Sequence, residues 1–248
     1  MSTSRSIKFG MLGLLMAAIG LIAWANTWRT SLKVKRITIE GARIVGNQEI
    51  IKLAHIDRSM QLQDIDLTVV RKNILTHHFI KEAVVQRDLP ATLIVSITER
   101  VPLAIINAGE LLYLDEEGVV LPHSISKHIF DLPVLSGIPD NLAVAPGKTV
   151  KTDDLLEALH ILATCKLVNK ELYHMISEVH LRDGGDIVLY TADRGVPIIF
   201  GRGEVVDKLV RLESFWNSVV LTQGSENLEY VDLRYADQVV VRWRGKQG

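Results

Sequence analysis

Cysteine is almost missing: Cys165 is the only one in 248 residues. A lone thiol excludes an internal disulfide framework and any zinc site built on paired cysteines. A surplus of either charge is missing too, with 28 Lys and Arg against 29 Asp and Glu. A near-neutral chain lacks the basic footprint of a nucleic-acid binder. Internal repeats and low-complexity tracts are absent, and so are G-x-x-x-x-G-K-[ST], G-x-S-x-G and H-E-x-x-H. Gly201-Arg202-Gly203 lacks the third glycine of a dinucleotide fingerprint and reads as a turn before a helix. What is present is 48% apolar residues, the composition of a globular chain.

Phe9 to Trp28 carries no charge over 20 residues. At about 1.5 Å per residue such a helix spans roughly 30 Å, the thickness of a bilayer core. Arg5 and Lys8 precede it, and Trp24 and Trp28 stand at its far end, where aromatic rings favour the interface. We read one transmembrane helix over 9–28 with residues 1–8 inside. Ala23-Trp24-Ala25 also resembles a signal-peptidase site, although the run is longer than the usual apolar region of about 7–15 residues. Either reading places residues 29–248 beyond a membrane.

The exported part reads as two α+β units. Val34–Ile39 alternates as a strand. Asn47 is an N-cap candidate for a helix with Ile50, Leu53 and Ala54 on its buried side, and Asp66 for one with Leu67, Val70 and Ile74 on one face. Strands follow at Ala83–Arg87 and Leu93–Ile97, turned by Asp88-Leu-Pro90-Ala91. The order β-α-α-β-β predicts a small sheet with two helices on one face.

The second unit starts at Pro102. It should hold a hairpin over Tyr113–Val120 turning near Glu117-Gly118, a loop-rich stretch from Leu132 to Gly147, and a helix capped by Asp153 or Asp154. Strands are expected at Ile176–Leu181, Ile187–Tyr190 and Val196–Phe200, then a helix with Val205, Leu209, Leu212 and Trp216 in one stripe. Val231, Leu233 and Tyr235 alternate, and Val239–Trp243 makes a last strand. We expect that strand at a sheet edge, where free N–H and C=O groups invite a partner strand. Tyr235 and Trp243 are aromatic types enriched in interface hot spots, although edge packing explains them equally.

Catalytic chemistry has little to stand on. His77 and His78 are neighbours, so on a helix they diverge by about 100° and share no ligand. His123 and His128 flank a loop, while Glu116-Glu117 and Asp153-Asp154 fit a solvated turn and a helix start. Cys165 closes an apolar helix face as a small core residue. No catalytic residue, cofactor or metal is expected.

Four motifs in order carry a resemblance: Val34–Gly41 opening the βααββ unit, Glu99-Arg100-Val-Pro102-Leu-Ala104, Asp115-Glu-Glu-Gly118-Val-Val120, and Tyr230-Val-Asp-Leu-Arg-Tyr235. With a short tail and one span ahead of them, they resemble the FtsQ family, called DivIB in some bacteria. The resemblance implies a POTRA domain over 34–101, a β-domain over 102–243 and a C-terminal tail over 244–248. It implies a non-enzymatic division scaffold in the inner membrane, gathered at the septum. Implied partners are the single-span coiled-coil proteins FtsB and FtsL, with FtsK and septal peptidoglycan synthase components beside them. Tyr235, Val239, Val241, Trp243 and Arg234 are the implied partner-binding residues, and Arg182 is the nearest counterpart of the family's binding arginine. A POTRA-bearing secretion or outer-membrane assembly component is the alternative. It needs a barrel that the roughly 145 remaining residues do not supply. An exported hydrolase needs paired acids or a nucleophile set.

Overall fold

The computed structural model describes residues 13–24, 33–57, 59–123, 130–139, 142–182 and 185–245. Residues 13–24 form a helix, α1, whose described side chains are exposed. The rest of the expected span, 9–12 and 25–28, lies outside the described residues. No helix among the described residues is long and apolar enough to cross a membrane. From there the chain divides into two compact units, at Glu99 and Arg100.

In the first unit, β1 (Arg36–Glu40) is followed by α2 (Asn47–Ala54), α3 (Leu67–Ile74), β2 (Ile80–Asp88) and β3 (Thr92–Glu99). The strands lie in the order β1-β3-β2, with β1 parallel and β2 antiparallel to the central β3. Leu93, Val95 and Ile97 alternate into the core as their spacing requires. Asp66 caps α3, its carboxylate accepting from the N–H groups of Thr68 and Val69. Asn47 does not cap α2. Gly46 occupies that position in extended geometry with no side-chain bond, and its carbonyl accepts from Glu49 and Ile50. The approach to α2 is fixed from a distance instead, since the Glu99 carboxylate accepts from the N–H groups of Arg43, Ile44 and Val45 at 2.7–3.0 Å. Ile50 and Ala54 are buried, whereas Leu53 is half-buried.

The second unit is built on a nine-stranded sheet in the order β12-β11-β10-β9-β8-β7-β4-β5-β6. The strands are β4 (Ala104–Asn107), β5 (Leu111–Leu114), β6 (Val120–Pro122), β7 (Val134–Ser136), β8 (Ile176–Leu181), β9 (Ile187–Thr191), β10 (Pro197–Gly201), β11 (Leu228–Asp232) and β12 (Val240–Trp243). The helices are α4 (Asp153–Val168), α5 (Lys170–Met175), α6 (Val205–Phe215), a π-helical turn over Trp216–Val220, and α7 (Leu221–Gln223). α4 buries Leu155, Ala158, Leu159, Ile161, Leu162 and Cys165 against the sheet. Burial pushes the Cys165 thiol up to about 12, with Glu213 adding to the shift, so it stays protonated.

One expectation needs correction and one is refined. Thr152, not Asp153 or Asp154, caps α4, its hydroxyl accepting from Leu155 N–H at 3.3 Å. The two aspartates then occupy the first turn, where a negative charge suits the helix dipole. The stretch from Leu132 to Gly147 contains β7, which pairs in parallel with β4 and β8. Three residues carry too little periodicity to announce a strand; its position between two longer strands makes it one.

Candidate partner-binding edge

The sheet of the second unit has two ends, and they are finished differently. At one end β6 closes with Pro122, which has no N–H to offer. A loop also covers it: Val120 N–H donates to Lys148 O, Gly147 N–H to Val120 O and Val150 N–H to Gly118 O, each at 2.8 Å. At the other end β12 pairs only with β11, and among the described residues no strand lies beyond it.

Ladder geometry shows which groups β12 leaves outside. Leu233 N–H donates to Ile199 O of β10. By alternation, Tyr230 and Asp232 turn their backbone groups the other way, towards β12, so their partners Arg242 and Val240 face inward. Arg244 N–H continues the inward set by donating to Asn227 O. Val239, Val241 and Trp243 therefore present N–H and C=O outward. Their side chains are half-buried and pack against the core of the unit. Arg242, exposed on the opposite face, pairs with Glu229 at 3.0 Å.

Tyr235 is not part of an alternating strand. β11 ends at Asp232, Leu233 is still buried, and Tyr235 sits in the turn that follows with 49% of its surface exposed. The chain reverses there through Asp237 in left-handed geometry, and Arg211 of α6 holds the reversal by donating to the carbonyls of Tyr235 and Gln238. Val239 lies one residue before β12.

Arg234 works within the unit. Its guanidinium grips both oxygens of Asp232 at 3.0 and 2.7 Å and reaches Asp186 at 2.8 Å. Hydrogen bonding to Asp232 raises its pKa further above the ordinary arginine value. Burial disfavours the Asp232 carboxylate, only 4% exposed, but side-chain and backbone bonds from Arg234 outweigh that and hold its pKa below the usual range. The stem of Arg234 crosses Gly201, where an added Cβ would stand 2.8 Å from its Cγ. Arg202 pairs with Asp154, and Lys208 is buried while donating to Arg202 O at 2.6 Å. These pairs tie the β8–β9 turn, the turn after β10 and the end of β11 together. The sequence does not announce Asp186 and Arg211, which lie 48 and 24 residues from their partners Arg234 and Tyr235. Arg182 is exposed at the end of β8, and the adjoining residues 183 and 184 lie outside the described residues.

Comparison with known proteins decides the family. The family model "Cell division protein FtsQ/DivIB, C-terminal" matches residues 104–234, and the FtsQ-type POTRA domain model matches 32–100. The chain belongs to the FtsQ/DivIB family. It is 32% identical over 245 residues to the cell division protein FtsQ of Rhodothermus marinus, covering 96% of this chain and 87% of that protein. It is 33% identical over 213 residues to the FtsQ of Geotalea daltonii, covering 86% and 76%. The FtsQ of a Geobacter species matches at 30% over 213 residues, covering 86% and 77%. The POTRA match covers the three-stranded unit, and the FtsQ/DivIB model runs from β4 to Arg234.

Proposed function

We propose that this chain is a membrane-anchored, non-enzymatic scaffold of the division machinery whose β12 edge receives an extended segment of another division protein. The open row of backbone groups at Val239, Val241 and Trp243 carries this reading, since a strand added there gains main-chain hydrogen bonds. FtsB-like and FtsL-like single-span proteins are the proposed partners at this edge. FtsK and septal peptidoglycan synthase components are further partners of the assembly. Tyr235 flanks the edge as an exposed aromatic, and Arg182 lies exposed in the same unit. Arg234 shapes the edge through Asp232. The charge-free run 9–28 supplies the proposed single span, with residues 1–8 cytoplasmic and the POTRA domain (34–101), β-domain (102–243) and tail (244–248) outside. A photo-crosslinking residue at Val241 of the full chain, in dividing cells, tests the reading. Capture of a small single-span division protein is expected at 241 and not at Val120 on the covered edge. Equal capture at both positions, or none at 241, contradicts it.

A further inference from the structure

Among the described residues the first unit has an open edge of its own. β1 ends the order β1-β3-β2 and pairs with β3 from Arg36↔Thr92 to Glu40↔Ser96. Arg36 N–H donates to Ala91 O. In a parallel ladder each residue turns both backbone groups to one side and the next residue turns them to the other. Arg36, Thr38 and Glu40 therefore face β3, and Ile37 and Ile39 face outward. Ahead of them Val34 N–H is taken by Met60 O, so the exposed stretch begins after that point. A groove of about 940 Å³ runs beside it, lined by Ile37, Ile51, Ile56, Glu49, Lys52 and His55 among others.

The side chains of β1 are complementary to their own copy. Ile37 and Ile39 share the helix-covered face with Leu93 and Val95, their ladder partners. Arg36 and Glu40, both exposed, stand at opposite ends of the other face. When a second β1 runs antiparallel about Thr38, Ile37 exchanges hydrogen bonds with Ile39 of the copy, and Arg36 faces Glu40 of the copy at both ends. Sliding by two residues in either direction sets Arg36 or Glu40 against Thr38, and sliding by four sets like charges together. Directly opposed charges stabilise a strand pair and like charges oppose it.

We propose that β1 is a self-association edge, where two copies of this chain join their three-stranded sheets by antiparallel β1–β1 pairing centred on Thr38. The interface is two-fold and closed. The isoleucines of each copy enter the groove beside α2 of the other. The contact is short, below the area of roughly 1,000 Å² that a stable dimer needs, so the association is reversible.

Thr38→Cys in the full chain, expressed at its native level in cells, tests this directly. In the proposed register the two Thr38 Cα atoms lie about 4.5 Å apart, within reach of a disulfide. Cys165 is fully buried and does not compete. Oxidation should give a band of twice the 27.7 kDa chain mass, whereas Val84→Cys, exposed on β2 at the opposite edge, should not. Arg36→Glu or Glu40→Arg alone should lower the dimer band roughly tenfold, and the two together should restore it. Absence of the dimer at position 38, equal crosslinking at 84, a product with a different protein, or failure of the double exchange to restore pairing each overturns the proposal.

Discussion

The two edges of the nine-stranded sheet differ in what lies beyond them. β6 is three residues long, ends in proline and is roofed by 147–150. β12 is nearly as short but has no proline, and among the described residues nothing roofs it, although its outward residues bring apolar side chains with them. Natural sheets commonly protect an edge by shortening or covering it. One edge here is roofed and, among the described residues, the other is not.

The comparison can be broken from its closed side first. Gly118 has φ +76° and an added Cβ would stand 2.5 Å from Val150 O. Gly118→Ala should cost about 2–4 kcal/mol, seen as a lower melting temperature, because it forces apart the loop that roofs β6. Partner binding of the protein that remains folded should be unchanged. At the open side, Trp243→Ala should cost about 2 kcal/mol of stability, since the ring is half-buried against the core, and should also weaken binding by roughly tenfold or more. Asp232→Asn should cost about 1–2 kcal/mol, discounted for the partly exposed Arg234. The folded pKa of Asp232 lies below the ordinary 3.8, so its contribution is complete above that value and fades as pH falls through the lowered one. Acid titration of stability should therefore show a drop on this side that the asparagine variant lacks. Tyr235→Ala should be the mildest, with the stability within about 0.5 kcal/mol of the parent and binding weakened several-fold.

Regular periodicity made the βααββ unit, the three strands between 176 and 201 and the α6 stripe legible from sequence. Asp66 capped its helix as expected because that bond is local. Asn47 did not, because Glu99, far along the chain, holds the approach to α2. Arg100 likewise reaches Asp115 and Glu117 at 2.6 and 2.7 Å within the second unit. The adjacent acid and base of one sequence motif thus serve two different units. The edge strand was legible as the last alternating segment. Its inward and outward residues were not, since they depend on how β11 meets β10. The alternation of Val231, Leu233 and Tyr235 pointed to a longer strand than the one present: β11 ends at Asp232, and Arg211 holds the reversal that follows.

The sharpest measurement is a pair of proline substitutions read for both stability and partner binding. Val240 turns its N–H into the sheet towards β11, and Val241 turns its own outward. Proline removes that N–H at either site, at little cost on a free edge and with the loss of a ladder hydrogen bond inside the sheet. Val241→Pro should keep the melting temperature and lose partner binding, whereas Val240→Pro should lower the melting temperature. Full binding by a folded Val241→Pro protein, or equal loss of stability in both variants, would contradict the open edge as the place where a partner adds its strand.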